Sequence, residues 1–483
     1  DALIPQIDNI AGETYAFSRE LQGPILDMVT RGILVHQRRR HEVLQKFRAQ
    51  IAQLSEQLTE IVREGIGVPV SNTPPKGKQP EKLWWRSTPQ LKALLYDVMG
   101  LPIQRKKNAQ GVMAPTTNRD AIEKLSQYFI AEPICAHLLA LRDVDKKRTF
   151  LETDIDADGR MRTSINIAGT NTGRLASSMS DFGSGTNLQN IDRDLRSVFI
   201  SDPGMKFCNI DLEQADARNL GALCLDKFYA SHGEAFASKY LNMCESGDLH
   251  TAVCKIARPT LPWTGDPKAD RAIADQVFYR SFTYRDLDKR LGHGTNYLGS
   301  PITMAKHAHV PVSEVKAFQH HYFTNLPCIP EYHKWVRNEI TEYHQLTTLF
   351  GRRRMFFGRA KDEATIREAV AYSPQSMTAE EINRGMLNIW RADKRVQLLM
   401  QVHDSILFQY PEHLEAELVP WALKTLLVYL TLPGGRRFVV PAEAKVGWNW
   451  GDKSDSNPDG LIKWKGGDAR KRTDKDWRLS VQG

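Results

Sequence analysis

Two aspartates raise the first question of chemistry. Asp211 follows the apolar run from Phe207 to Ile210, and Asp404 occupies the turn-like centre of VQLLMQVHDSILFQY, where apolar residues flank His403 and Asp404. Two hydrophobic strands that each end in an aspartate can set two carboxylates side by side at a sheet edge. Hard cations such as Mg2+ take such oxygen ligands and keep open positions for phosphate oxygens. Taken alone, each aspartate is more often a turn residue.

A second pattern lies in YRDLDKRLGHGTNYLG, where Arg285, Lys289, His293 and Tyr297 recur at every fourth position. On a helix of 3.6 residues per turn that spacing drifts only ~40° per step, so the four form one slowly spiralling stripe. The cations suit a triphosphate, and the phenol ring can lie under a base or sugar. A solvated charged face leading into a core tyrosine is the ordinary alternative. A third pattern is polar: NTGRLASS and then GTNLQNIDRDLR, with Arg174, Asn187, Gln189, Asn190 and Arg193. Short amides and guanidiniums on irregular backbone suit phosphates and minor-groove acceptors, which hardly differ between base pairs. They equally suit turns and caps. Further along, FGRRRMFFGR and REAVAYSPQSMTAEE add Arg367 and Gln375 among aromatics.

These groups need elements to position them. Val43, Leu44, Phe47, Ile51, Leu54, Leu58 and Ile61 predict one long amphipathic helix over 37–66, ended near Gly65 and Gly67. A loop rich in Pro, Lys and Gly follows (SNTPPKGKQPEKLWWR), then helices near 88–99 and 118–142. From about 150 short strands are expected, in DGRMRTSINI and KFCNIDLEQ; helices dominate 212–395, and a hairpin closes the order at VQLLMQVHDSILFQY. Helices, strands, helices, strands imply an α+β fold whose sheet is assembled from sequence-distant pieces.

At 483 residues the chain has length for about three units of ordinary size. Its net charge of +8 is compatible with an acidic partner without requiring one. The cysteines, Cys135, Cys208, Cys224, Cys244, Cys254 and Cys328, form no C-x-x-C pair, which favours reduced thiols in a cytosol-like compartment over zinc or a disulfide framework. No apolar run approaches the ~18 residues needed to span a bilayer.

Together these segments resemble the family A DNA polymerases, the bacterial DNA polymerase I type and its phage relatives. NIDLEQADAR is similar to the family's first palm motif, the Arg285 to Tyr297 stretch to its fingers motif, and QVHDSILF to its second metal-binding motif. TGRL, NLQNI, GDLH and LFGRRR lie between them in the family's order, and LDMVTRGILV and STPQLKALLYDVMGLP resemble its entry and thumb. HGTNYLG is more phage-like than bacterial. The resemblance implies a right-hand fold with an antiparallel palm sheet, helical fingers and a helical thumb. The implied parts are an N-terminal segment on the palm over 1–36, thumb 37–150, palm 151–215, fingers 216–395, and palm again with a C-terminal tail over 396–483.

It also implies roles. Asp211, Asp404 and the Leu212 carbonyl would bind two Mg2+ ions, with Mn2+ as a substitute. Gln214, Asp216, His250, Arg285, Lys289, His293 and Tyr297 would hold the incoming dNTP, with Lys289 also protonating the leaving pyrophosphate. Lys146, Arg174, Asn187, Gln189, Asn190, Arg193, Arg367, Gln375 and His403 would line the primer-template duplex. A monomer in the cytoplasm, that of a bacterial host if the source is a phage, is expected. With a thumb-like helix beginning near residue 37, polymerisation without 3'-5' exonuclease activity is expected too. Three positions depart from the family: Asp216 and His293 stand where glutamate and an aromatic ring are usual, and Ser405 where a glutamate is common. A metal-dependent nuclease and a catalytically inactive DNA-binding protein are the competing readings.

Overall fold

The computed structural model describes residues 4–73, 82–181, 183–279, 282–467 and 470–473, with side chains from residue 11 onward. Half of the basic loop expected after the first long helix, residues 74–81, lies outside these residues.

That long helix, α1 (Gln37–Glu60), buries Leu44, Ile51 and Leu58, and the imidazole of His36 caps it by accepting the Arg39 amide at 3.3 Å. It continues as a wider turn, Ile61–Ile66, which stops at Gly67 in a left-handed conformation (φ 76°). Against it packs α2 (Glu132–Glu152), which starts and ends later than expected. The segment predicted as one helix over 118–142 is broken by the turn at 126–131, and only Arg119–Leu125 is helical before it. Leu58, Trp84, Trp85, Leu95, Ile122, Leu138 and Leu141 close a hydrophobic core belonging to this part alone.

The second half of the chain supplies the frame of the site. In order come strand β1 (Met205–Leu212), helices α3 (Ala215–His232), α4 (Leu249–Ala257), α5 (Pro267–Ala274), α6 (Tyr284–Asn296) and the thirty-residue α7 (Glu363–Ala392). Strands β2 (Gln397–Val402), β3 (Ser405–Pro411), β4 (Ala442–Gly447) and β5 (Ile462–Lys463) follow. The five strands form one antiparallel sheet in the order β2-β3-β1-β4-β5, so the strand before the helices is inserted between strands that come nearly two hundred residues later. Alternation along the strands sorts the side chains: Ile406 and Phe408 join the core under α3 and α7, while Phe207 and Leu407 join another on the opposite face with Trp450 and Leu195. With both faces covered, β3 is buried along nearly its whole length and its centre, Ile406 to Phe408, reads as a continuous apolar run.

Two further hairpins, Val277–Tyr279 with Phe282–Thr283 and Gln345–Thr347 with Arg353–Met355, were not expected from the sequence. Their strands are two or three residues long, too short for a period-two pattern to register. All six cysteines are free and buried. Among the described residues no helix is long and apolar enough to cross a membrane.

Candidate active site

The register of β1 against β3 pairs Asp211 with Ser405. One step further the Leu212 amide donates to the Asp404 carbonyl at 3.1 Å, so the two aspartates are joined through their backbones. His403 adopts a positive φ (56°) at the turn, which turns its exposed side chain outward. Ser405 is buried, and its hydroxyl donates to the Val402 carbonyl at 3.0 Å. Both aspartates line a cavity of about 180 Å³ together with Arg193, Arg196, Glu443 and Lys445. Burial, then the neighbouring Asp404 and Glu443, push the Asp211 carboxyl up to about 7, and burial raises Asp404 as well. Glu443 faces Asp211 across β4 and pairs with Lys463 at 2.5 Å, so a negative charge stands near Asp211 even though Ser405 carries none.

Two half-buried carboxylates whose affinity for protons is raised, that of Asp211 by burial and by Asp404, that of Asp404 by burial and by Asp216, are a donor set suited to a hard divalent cation, whose charge would relieve them. Among the described residues no group of three or more His, Cys, Asp or Glu side chains is arranged to hold an ion, so the fit rests on this pair with backbone oxygen.

The stripe predicted on α6 is present, with one correction. Thr283 caps the helix by accepting the Asp286 amide at 3.0 Å, and Leu287, Asp288, Leu291 and Thr295 face inward, leaving Lys289 and His293 exposed. Tyr297, expected on the helix, stands one residue past its last turn (φ −100°, ψ 28°). Its ring meets His293 edge to face at 4.8 Å. Arg285 is mostly covered, because Asp248 accepts from its Nη2 at 2.8 Å and from its Nε at 3.2 Å. His250, Lys289 and His293 line a cavity of about 630 Å³ with Phe282 and Tyr240. Burial, then Lys289 and Arg285, push the His250 imidazole down to about 4, so it is neutral at physiological pH. Lys289 makes no ion pair among the described residues.

Asp216 links the helix stripe to the sheet. Its carboxylate accepts from the Tyr297 hydroxyl at 2.9 Å and from the Thr378 hydroxyl on α7 at 2.7 Å, and lies 3.6 Å from the Arg174 guanidinium. Gln214, left-handed (φ 55°) at the start of α3, makes the bend from β1 that places Asp216 here. Behind it, the Asn219 amide donates to Thr378 and, at 2.9 Å, to Glu381. Glu381 is fully buried, and burial pushes its carboxyl up to about 8. The folded state then keeps a proton that the unfolded chain releases in the ordinary carboxylate range. Stability therefore falls as pH rises from that range through about 8. Glu381→Gln should remove this fall: between about pH 5 and pH 9 the wild-type melting temperature should drop by about 5 °C more than the variant's. Parallel declines would show that Glu381 ionises freely in the fold.

The polar cluster divides. Asn187 caps the short helix Leu188–Asn190 and donates to the Ser177 carbonyl at 2.6 Å, and the Gln189 amide donates to the Gln401 carbonyl at 3.1 Å. Both side chains are thus engaged in the fold, the turn-and-cap role that the sequence left open. Asn190, Arg193, Arg367 and His403 are exposed, Arg174 and Gln375 half-buried, and Lys146 lies 3.9 Å from Asp192 on α2. Asp248, Arg271, Glu381 and Glu443 were not singled out from the sequence. Only GDLH, where an aspartate precedes an apolar helical stretch, carried a signal for one of them.

An antiparallel sheet carrying two carboxylates, joined through Asp216 and Tyr297 to a cationic helix, is the frame of a right-hand polymerase domain, and the whole fold agrees. The structure described as the POL domain of Pol1 from M. smegmatis in complex with DNA primer-template and dNTP superposes with a TM-score of 0.66, covering 89% of this chain and 69% of that one at 23% identity. The chain belongs to DNA polymerase family A, whose sequence profile matches residues 42–452. Among curated relatives, DNA polymerase I of Chloroflexus aurantiacus is 28% identical over 69% of this chain, and the thermostable DNA polymerase I of Thermus aquaticus is 27% identical over 75%. The chain spans 34% and 40% of those two proteins' lengths.

Proposed function

We propose that this chain is a template-directed DNA polymerase that adds dNTPs to a primer 3'-hydroxyl with release of pyrophosphate, in phage DNA replication. The observation that carries the reading is the juxtaposition of the Asp211 and Asp404 carboxylates with the cationic face of α6, through Asp216 and Tyr297. A nuclease needs the carboxylates alone. A triphosphate clamp beside them suits nucleotidyl transfer.

In this reading Asp211, Asp404 and the Leu212 carbonyl hold two Mg2+ ions, or Mn2+ in their place, which when bound lower the pKa of the primer hydroxyl and brace the charge on the α-phosphate. Lys289 and Arg285 bind the triphosphate, and Lys289 donates a proton to the leaving pyrophosphate. His250, neutral, offers a hydrogen bond without adding charge. Tyr297 supports the nascent base pair, and its bond to Asp216 ties its position to the sheet. Arg174, Asn190, Arg193, Arg367, Gln375 and His403 hold the duplex with Lys146, by contacts that any correctly paired sequence satisfies. Asn187 and Gln189, held in place by their bonds to Ser177 and Gln401, line the same duplex. The 1–36, thumb, palm and fingers divisions follow the same reading.

A primer-extension gel with Mg2+ and the four dNTPs tests it. A longer primer is expected; a shortened primer would make the chain a nuclease, and a shifted but unaltered one a binder. Asp216, one methylene shorter than the family's glutamate and drawn back by Tyr297 and Thr378, should close less tightly on the ribose 2'-hydroxyl. Asp216→Glu is then expected to improve discrimination against ribonucleotides by about tenfold, the scale of one hydrogen-bond or steric contact. Equal ratios of rNTP to dNTP insertion in the two proteins would end that idea.

A further inference from the structure

The carboxylate that holds Arg285 holds a second arginine, one no part of the site described so far uses. Asp248 accepts from Nη1 of Arg271 at 3.0 Å as well as from Arg285. Asp248 cannot swing away easily, since it also accepts the backbone amides of His250 (3.1 Å) and Thr251 (3.4 Å) and the Thr251 hydroxyl at 2.8 Å. Arg271 is equally well placed. Its helix, α5, is fixed to α4 by the ion pair of Lys255 with the buried Asp270, which also accepts the Thr264 amide at 2.7 Å. Asp275 accepts from Nε of Arg271 at 2.5 Å, setting the plane of the guanidinium and leaving Nη2 without a hydrogen bond among the described residues. Arg271 also acts on His250, whose imidazole it helps hold neutral along with Lys289 and Arg285.

The carboxylates of Asp248 and Asp275 offset the two guanidiniums, so the uncompensated positive charge on this face is that of Lys289, while Nη2 of Arg271 remains available as a donor. Tyr297, just past the C-terminal end of α6, reaches Asp216 at the start of α3, which follows β1, so Lys289 lies on the side of the helix end nearer the carboxylate pair, and Arg271 flanks Arg285 at the far end. An extended chain of phosphates starting at Asp211 and Asp404 would pass Lys289 and end at this arginine pair. We propose that Arg271 binds the terminal phosphate of the incoming nucleotide, and that Asp248 is the positioning residue that holds Arg271 and Arg285 as a paired clamp. Guanidiniums offer parallel donors to phosphate oxygens, and a shared anchoring carboxylate pre-orients both at no entropic cost during binding.

The inference rests on the polymerase reading for its substrate, and inorganic tripolyphosphate separates the two. Calorimetric titration of wild type, Arg271→Ala and Arg271→Lys with tripolyphosphate is set beside steady-state extension at varied dNTP. Arg271→Ala is expected to weaken tripolyphosphate binding and to raise the dNTP KM by about 5- to 20-fold, the loss concentrated in KM, with Arg271→Lys recovering part of both. A merely structural role for Arg271 would lower the melting temperature and leave both constants in place. Wild-type constants in Arg271→Ala, beside a wild type that extends primers, would overturn the clamp alone. A wild type that binds tripolyphosphate through Arg271 yet extends nothing would keep the clamp and end the polymerase reading. Failure of both would end both.

Discussion

Replacement of Asp404 by alanine is expected to reduce primer extension by about 10³-fold or more, while primer-template affinity stays within a few-fold of wild type. The physical reason is that Asp404 contributes twice and only one contribution is lost. Its backbone carbonyl keeps the bond from the Leu212 amide, so the turn and the β1 to β3 register survive the substitution. Its carboxylate, with that of Asp211, is the donor set proposed for the metal ions. Removing it also removes a like charge that raises the Asp211 carboxyl, so the folded protein should melt no earlier than wild type. Extension rates from single-turnover gels, set beside binding measured by anisotropy on a labelled duplex, decide the matter. Retention of more than about a tenth of the wild-type rate, or a loss of binding that matches the loss of rate, would remove Asp404 from the proposed ligand set.

Lys289→Ala should be next in size, slowing nucleotide insertion by about 10²- to 10³-fold. Besides Arg271, which Asp248 and Asp275 hold, three cationic or potentially cationic groups face the proposed triphosphate, and two are already committed. Arg285 is bound by Asp248, and His250 is neutral because burial and its cationic neighbours drive its pKa down to about 4. Lys289 is exposed and has no ion-pair partner among the described residues, so it alone can move its charge and a proton toward a departing pyrophosphate. An insertion rate for Lys289→Ala within about threefold of wild type at saturating dNTP would assign that proton to another donor.

How much of this could be read from residues alone follows from the range of each signal. The Asp211 and Asp404 strands were legible because each is an apolar run interrupted by one acid, and covalent neighbours carry that pattern. The stripe on α6 was legible because a four-residue spacing maps directly onto a helix face. Its end was misjudged by one residue at Tyr297, where the helix stops and Asp216 takes the hydroxyl. The bond between Asp216 and Thr378 joins positions 162 apart, and that between Asn219 and Glu381 likewise joins α3 to α7. No local period reports such pairings. Arg271 was missed for a related reason: it sits on an eight-residue helix whose significance lies wholly in the carboxylate it reaches, Asp248, which caps the preceding helix. For Asn187 and Gln189 the sequence leaves both roles open, since an amide that caps a turn and one that contacts a groove look the same there.

The helices around 51–144 close over a core of their own, while the acidic pair is sewn into strands buried on both faces. Loosening and hardening are thereby assigned to different neighbourhoods of one molecule. Under the proposed function, heat or mild denaturant should slacken the helical lobe first, and with it the hold on the duplex, while the acidic pair keeps its place until the sheet itself gives way. If the chain copies DNA as proposed, it should fail first in endurance along the template, and only afterwards in the chemistry of a single addition.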